Sequence, residues 1–299
     1  MLFPLFCAVS AVAAGITAVN MGLFGGAAGV LWFLLLGFGY FVLLTLLWLL
    51  PLVILSFTVD QSKPAGKHQK LIRSALAETL LLLFSICRVR IHVSGIDMVP
   101  TDSRYLFTSN HISIFDPLAS LIVMRKKDMT FISKKENMSR PVIGNLMHAA
   151  GMLPIDREND RSAVRTVVQA AKLMKDNYTS VGLYPEGYTN RQPNTVLLPF
   201  RDGSLKTAQK AGVPVVVAVI RGSNRVHFPE VLLRWKTEIR LDFLTVIPAE
   251  EVCGMSTHEL GEKMWKIMYR ELTGEECESI PATAKEINKN TKKISINFT

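Results

Sequence analysis

The first 59 residues of this 299-residue chain contain no charged side chain, and Asp60 is the first one. Two apolar stretches lie in this region, about residues 2–21 and about 30–57, separated by 22-GLFGGAAG-29. Each stretch is long enough to cross a hydrocarbon core about 30 Å thick. The missing charge therefore predicts a membrane hairpin over residues 1–59, in which Pro51 marks a kink or the end of the second span.

A cleaved signal peptide is the alternative for the first stretch, because its alanines suit such a segment. No Lys or Arg precedes the stretch, however, and the second stretch would still hold the chain in the bilayer. Four cations follow the second stretch closely: Lys63, Lys67, Lys70 and Arg73. They predict that the following domain lies on the cytoplasmic side of the membrane.

Cysteine is also scarce. The four cysteines, at positions 7, 87, 253 and 277, have the spacing of neither a metal site nor a disulfide framework, which fits a reducing compartment. The net charge of +9 favours anionic partners, but the basic residues do not interleave with aromatic residues as in a nucleic-acid interface. We therefore expect anionic lipid headgroups or phosphate-bearing substrates, and we predict no nucleic acid, metal or cofactor.

From about residue 90 onward, short β-rich runs alternate with helix-like runs, which is typical of an α/β domain with a largely parallel sheet flanked by helices. The predicted strands cover residues 90–93, 105–108, 130–132, 152–155, 181–184, 214–220 and 239–247. The predicted helices between them cover residues 117–126, 141–150, 161–175, 203–211 and 257–272.

These patterns divide the chain into four parts: a transmembrane hairpin (1–59), a connector with a membrane-associated helix (60–89), a catalytic α/β domain (90–280) and a polar tail (281–299). The helix-like run at 71–89 suits a buried core position as well as it suits a membrane surface.

The stretch 109-SNHISIFDP-117 places His111 and Asp116 five positions apart, directly before a proline. Residues with this spacing point to different sides of a continuous helix, whereas Asp before Pro is typical of a helix N-cap. His111 would then lie in the preceding loop, from which its imidazole can fold back onto the carboxylate. A carboxylate on one ring nitrogen leaves the other free to accept a proton from a hydroxyl. The alternative is a simple helix cap beside an ordinary loop histidine.

Three further loops carry candidate binding residues. In 151-GMLPIDR-157, Arg157 at the mouth of a strand suits a phosphate or carboxylate. In 183-LYPEGYTNR-191, Glu186 and Arg191 bracket Gly187, which lets a ligand approach the backbone. In 199-PFRDGSLK-206, Arg201 precedes a predicted helix start, a position suited to an anion. Taken singly, each loop has a simpler alternative: a surface ion pair between Asp156 and Arg157 in the first, an ordinary polar loop in the second and a solvated turn in the third.

Several catalytic motifs are missing from the chain. The sequence contains no G-x-S-x-G nucleophile elbow, no Walker loop and no G-x-G-x-x-G. These absences disfavour a hydrolase with a serine nucleophile and a cradle for nucleotide phosphates. What remains is one histidine base, a nearby aspartate and several arginines. This set suits direct transfer of an acyl group to the hydroxyl of a phosphate-bearing acceptor.

Four blocks, NHISIFDP, GMLPIDR, YPEGYTNR and GVPVVVAVIR, occur in this order within about residues 85–250. They resemble the blocks of the glycerolipid acyltransferase family with the HxxxxD motif, the 1-acyl-glycerol-3-phosphate acyltransferases. The resemblance implies that His111 is the general base and that Asp116 orients it. It also implies that Arg157 binds the acceptor phosphate. Further residues expected to bind substrate are Asn110, Glu186, Gly187, Arg191 and Arg201.

The resemblance further implies a thioester donor, acyl-CoA or acyl-carrier protein, with no covalent acyl-enzyme, and lysophosphatidic acid as the acceptor at a lipid membrane. The alternative acceptors are another lysophospholipid and glycerol 3-phosphate. A catalytically silent lipid-binding scaffold is a further alternative. Two departures from the family pattern affect the acceptor site. Tyr188 stands where the third block usually has Thr, with Arg191 two positions later than usual, and Val217 replaces the usual second Pro of the fourth block.

Overall fold

The computed structural model describes residues 2–23, 25–157, 159–190, 197–227 and 229–277. The predicted binding residue Arg191 and the predicted tail at 281–299 lie outside these residues. The helices are α1 (Leu2–Asn20), α2 (Gly26–Thr58), α3 (Gln69–Ile86), α4 (Asp116–Val123), α5 (Lys135–Met138), α6 (Ile143–Ala149), α7 (Asp160–Lys175), α8 (Asp202–Ala211), α9 (Glu230–Leu233), α10 (Ala249–Gly254) and α11 (Thr257–Thr273). The strands are β1 (Val89–Ser94), β2 (Leu106–Ser109), β3 (Met129–Lys134), β4 (Leu153–Ile155), β5 (Ser180–Leu183), β6 (Val215–Arg221) and β7 (Thr237–Ile247).

Helices α1 and α2 pack together as an apolar hairpin. Phe41 of α2 meets Phe3 and Phe6 of α1 in edge-on contacts, with ring centroids 5.9 and 6.4 Å apart. Both helices are long and apolar enough to cross a membrane, and only two of the 33 residues of α2, Leu52 and Ser56, are buried. A helix that is apolar all round and not covered by protein suits a lipid environment. Pro51 lies inside α2, so the helix continues through this residue.

Helix α3 joins the hairpin to the α/β domain. Its Ala77 belongs to the domain core, while Thr79 accepts a hydrogen bond of 2.9 Å from the Trp48 indole of α2. Arg73, which the sequence placed among the cations flanking the membrane, is instead buried and donates to Asp128 at 2.6 Å. Because Arg73 is buried inside the protein, it is not one of the exposed cations that follow the apolar hairpin.

The seven strands form one sheet in the order β1-β7-β6-β2-β5-β3-β4. Neighbouring strands are parallel except β6 and β7, which are antiparallel. The carboxyl ends of β2 to β6 therefore share one edge of the sheet with the amino ends of β7 and β1. We call this the site edge, because the polar loops singled out in the sequence follow β2, β4 and β5 there.

Helices cover both faces of the sheet, and each face has its own core. Phe107 of β2 packs with Phe131 and Phe243 on the face covered by α3 and α4. The preceding residue, Leu106, points to the opposite face, where Trp265 of α11 is fully buried. This alternation follows from the two-residue period of a strand.

The predicted α/β class with a largely parallel sheet is confirmed. All seven predicted strands form, and so do the five predicted helices between them. The division into domains at residues 59, 89 and 280 stays a prediction.

Candidate active site

His111 and Asp116 meet as the sequence predicted. The loop between β2 and α4 folds the imidazole back, so that Nδ1 lies 2.8 Å from Oδ2 of Asp116. The same oxygen accepts the backbone N–H groups of Ile112 at 2.7 Å and Ser113 at 2.8 Å. Since Oδ2 can only accept, Nδ1 carries the proton of this hydrogen bond. The second ring nitrogen, Nε2, is then the proton acceptor of a neutral imidazole.

The predicted N-cap role of Asp116 is wrong in detail. Helix α4 begins at Asp116 itself, and Phe115 is the N-cap residue. The Asp116 carboxylate accepts hydrogen bonds from backbone N–H groups of the preceding loop. The other oxygen, Oδ1, accepts a short hydrogen bond from the hydroxyl of Ser223, which follows β6. Asp116 is fully buried, so these bonds replace the water that would otherwise solvate its charge.

Two side chains of the β5 loop frame the His111 ring. Tyr184 stacks on it, with ring centroids 4.5 Å apart and an interplanar angle of 26°. The hydroxyl oxygen of Thr189 lies 3.1 Å from Nε2. The ring is therefore held on one face and at both nitrogens, and Nε2 points toward the 185–190 loop.

Glu186 ties this loop to the His111 loop. Its carboxyl oxygens accept the backbone N–H of His111 at 2.6 Å and that of Leu198 at 3.1 Å. In return, the Asn190 N–H donates to the carbonyl of His111 at 2.6 Å. Burial raises the pKa of Glu186 to about 8. The Glu186 side chain is fully buried against the backbone, and its part in forming the acceptor site stays a prediction.

Asn110, which the sequence predicts to bind substrate, is buried as well. Its amide donates to the carbonyl of Ile220 at 3.0 Å and accepts from the Ile220 N–H at 2.7 Å. Asn110 thus joins the end of β2 to the end of β6. Both amide groups are used inside the protein. Substrate binding by Asn110 stays a prediction.

Gly187 has a φ of +77°, which a glycine adopts without strain. The sequence suggested that a ligand could approach the backbone beside Gly187. In the structure the Arg201 side chain occupies that space. A Cβ built on Gly187 would lie 2.5 Å from Nε of Arg201. Arg201 is the N-cap residue of α8, so its predicted position before a helix is confirmed.

Two arginines meet at Tyr188. The guanidinium carbon of Arg201 lies 4.6 Å from the Tyr188 ring centroid and that of Arg157 lies 5.5 Å from it. Burial lowers the pKa of Arg157, and the positive charge of Arg201 lowers it further. Two cations of this kind, partly removed from water and close to each other, attract an anion with several oxygens.

Sequence reasoning missed four residues of this site: Ser223, Tyr184, Tyr188 and Thr189. Tyr188 and Thr189 had a visible signal, since they lie inside the third block. Ser223 had none, because it meets Asp116 from 107 positions away. Among the described residues, no group of three or more His, Cys, Asp or Glu side chains could hold a metal ion. The arrangement combines a partly buried, oriented histidine with two arginines that meet at the neighbouring loop.

Comparison with known proteins supports a single family. Residues 90–221 match the family described as Acyltransferase. The chain is 25 % identical over 57 % of its length to a 1-acyl-sn-glycerol-3-phosphate acyltransferase of Borreliella burgdorferi, and 30 % identical over 43 % of its length to one of Escherichia coli. These matches span 66 % and 53 % of the two relatives, so the chain covers only about half to two thirds of their length.

A solved structure shares the fold. The 1-acyl-sn-glycerophosphate (LPA) acyltransferase PlsC of Thermotoga maritima superposes with a TM-score of 0.56, covering 78 % of this chain and 95 % of that protein at 22 % identity. The segment that matches the family, residues 90–221, contains all three loops that carry His111, Arg157 and Glu186. Residues 90–221 of this chain are thus similar to the acyltransferase family, and the chain shares the fold of the PlsC structure.

Proposed function

We propose that this chain is a membrane-bound O-acyltransferase that moves a fatty acyl group from a thioester to the free hydroxyl of 1-acyl-glycerol-3-phosphate and so makes phosphatidic acid. One observation carries the proposal. Thr189 contacts Nε2 of His111, while the preceding residue, Tyr188, packs against the guanidinium groups of Arg157 and Arg201. A proton acceptor and an anion site are thus reached from neighbouring residues.

The proposed acceptor carries both groups that these features would bind. In 1-acyl-glycerol-3-phosphate the free hydroxyl and the phosphate ester lie on adjacent carbons. An acceptor held by its phosphate at Arg157 and Arg201 would therefore direct its hydroxyl toward the loop of His111. The planar guanidinium fork binds phosphate oxygens in pairs.

In the proposed reaction, the acceptor hydroxyl takes the place of the Thr189 hydroxyl at Nε2 of His111. The imidazole removes the hydroxyl proton while the oxygen attacks the thioester carbonyl, so a C–O bond forms. The C–S bond breaks when the tetrahedral intermediate collapses, and the departing thiolate takes the proton. Asp116 stabilises the imidazolium between these steps, and Ser223 and two backbone N–H groups hold Asp116 in place.

The relatives support the acceptor, because those quoted above carry the name 1-acyl-sn-glycerol-3-phosphate acyltransferase. The donor is acyl-CoA or acyl-carrier protein. The α1–α2 hairpin at 1–59 and the segment at 60–89 attach the catalytic domain at 90–280 to the membrane. Lys63, Lys67 and Lys70 remain to favour the cytoplasmic side for that domain.

The test uses full-length protein in nanodiscs, offered four acceptors with each thioester donor. The acceptors are 1-acyl-glycerol-3-phosphate, lysophosphatidylcholine, glycerol 3-phosphate and a monoacylglycerol, and the products are identified by mass spectrometry. We expect phosphatidic acid to form fastest. A preference for the monoacylglycerol would contradict the phosphate site, and the lack of any product would favour a non-catalytic scaffold.

A further inference from the structure

The connector between β6 and β7 carries the two most exposed large apolar side chains among the described residues. Leu233, at the end of α9, is 87 % exposed, and Trp235 is 86 % exposed. Single exposed apolar side chains are ordinary on protein surfaces. Two of this size, only two residues apart and almost fully exposed, indicate a surface that another component covers.

The connector is held firmly in this position. Val231 is fully buried in the core, and the Arg88 guanidinium, at the junction of α3 and β1, donates to the carbonyl of Leu232 at 2.6 Å. The two apolar side chains therefore point outward because the backbone beneath them is fixed, and their exposure is a feature of the fold.

Basic side chains surround the two apolar ones. The exposed cations of this surface are Arg88, Arg90, Arg234 and Lys236, against two exposed acids, Glu230 and Glu238. Lys236 pairs with Glu238. A surface cavity of about 350 Å³ lies between Trp235 and the two arginines of the α3–β1 junction. The surface is thus apolar at its centre and positive around it.

This surface continues onto α3 and lies at the site edge. Leu83 and Ile86, in the last turn of α3, are exposed one turn before Arg88. Helix α3 itself packs against α1, one of the two helices suited to a membrane. The connector enters β7 at its amino end, which shares the site edge with the His111 loop. We call Leu83, Ile86, Arg88, Leu232, Leu233, Arg234, Trp235 and Lys236 together the edge patch.

A bilayer fits the edge patch better than a protein partner does. Trp is enriched at the interface between membrane and water, and Lys and Arg close to the membrane attract anionic headgroups. Protein interfaces also favour Trp and Arg but are depleted in Lys. Here Trp235 lies in the chain between Arg234 and Lys236, and the patch continues toward the apolar hairpin.

We propose that the edge patch is a second membrane contact, in which Leu233 and Trp235 insert into the headgroup region of an anionic bilayer. The contact turns the site edge toward the lipid surface, so that an acceptor reaches His111 directly from the membrane. This purpose rests on the proposed function. The contact itself does not, because it requires no turnover.

The test places a nitroxide spin label at the edge patch of the full-length protein. Exposed Cys7 and Cys253 and half-buried Cys277 are replaced by Ser, buried Cys87 is kept, and Trp235→Cys is labelled. Tyr178→Cys is the matched control, since Tyr178 is exposed on the loop before β5, at the opposite edge of the sheet. Both proteins are reconstituted in nanodiscs of phosphatidylglycerol or phosphatidylcholine, and label collisions with oxygen and with a water-soluble nickel chelate are measured.

At position 235, we expect the label to collide preferentially with oxygen in phosphatidylglycerol discs and with the nickel chelate in detergent. The control label should collide with the nickel chelate in both. Equal nickel access at the two positions would overturn the proposal. Dipolar broadening between labels at 235, with protection that persists in detergent, would also overturn it by showing that a second copy covers the patch.

A second variant connects the contact to turnover. Leu233→Glu/Trp235→Glu removes only exposed apolar groups, so folding should be kept. We expect it to raise the apparent KM for a bilayer-embedded acceptor roughly 10-fold, since less apolar surface enters the interface. The KM for a short-chain acceptor dissolved in water should stay unchanged. If the protein proved inactive with every acceptor, the spin-label result would still decide the membrane contact, while the proposed function alone would fail.

Discussion

The hydroxyl oxygen of Thr189 lies 3.1 Å from Nε2 of His111, the ring nitrogen that Asp116 leaves free. This is the position that an acceptor hydroxyl must take before His111 can remove its proton. The two hydroxyls therefore compete for one nitrogen, and binding of the acceptor has to displace Thr189.

Thr189→Ala should consequently leave kcat within about ten-fold of the parent value. Because a neutral hydrogen bond contributes about 0.5–1.5 kcal/mol, its loss should lower the acceptor KM by a few-fold. Steady-state kinetics check both numbers. Loss of turnover together with an acylated Thr189 peptide in the parent enzyme would instead show that Thr189 carries the acyl group covalently.

The Ser223 hydroxyl acts on His111 only through Asp116. Ser223→Ala leaves Oδ1 of a fully buried carboxylate without this donor, so Asp116 should hold the imidazolium less well. We expect kcat to fall roughly 10-fold with little change in the acceptor KM.

Ser94→Ala is the matched control, because Ser94 also donates to an aspartate, Asp242, at 2.6 Å, but on the edge strand β1, which β7 and β6 separate from β2. Equal effects of the two substitutions would reduce Ser223 to a general contribution to stability.

Gly187 separates the effect of backbone strain from that of a displaced arginine. In Gly187→Ala the new Cβ would meet Arg201, and the residue would also be strained at its φ of +77°. Gly212→Ala carries a similar strain at φ +65°, with open space around it. Both should lose about 1–2 kcal/mol of unfolding free energy. Only Gly187→Ala should also raise the acceptor KM. Thermal unfolding measures the loss of stability, and steady-state kinetics measure the KM. An equal acceptor KM for the two variants would show that Arg201 is not part of the acceptor site.

Glu186 predicts a pH dependence of stability. Its pKa in the folded protein, about 8, lies above the ordinary value of 4.5, so the folded state binds the proton more tightly than the unfolded chain. The free energy of unfolding should decrease as pH rises from about 4.5 to about 8. Glu186→Gln removes this pH-dependent contribution, because glutamine does not titrate. Its NH₂ group would face one of the two backbone N–H groups that Glu186 accepts, which weakens the loop around His111, so the variant should also be less active. A pH slope unchanged by the substitution would contradict this prediction.

The sequence predicted more of the fold than of the site. Alternating runs identified all seven strands, since buried parallel strands are short and β-rich. The pairing of His111 with Asp116 was also predictable, because it depends on five residues and a proline. The contacts of Ser223 with Asp116 and of Arg201 with Gly187 depend on how distant loops meet at the site edge, which no local pattern encodes.

The sequence also did not reveal which polar side chains are buried. Asn110 and Glu186 are polar residues in motif loops, and from sequence alone they looked like substrate contacts. In the structure their polar groups bond to the backbone of Ile220, His111 and Leu198. They shape the two loops that carry the base, and this role is visible only once the side chains are known to be inside.

In the proposed reaction Nε2 of His111 removes the acceptor proton, and the rate of phosphatidic acid formation by His111→Ala tests this step most directly. His258→Ala is the control, because His258 also contacts an aspartate, Asp202, but lies on the exposed surface. Loss of a general base costs roughly 10²–10⁴ in rate, so His111→Ala should fall by that factor at an unchanged melting temperature while His258→Ala keeps parent activity. Near-parent turnover by folded His111→Ala would contradict the account.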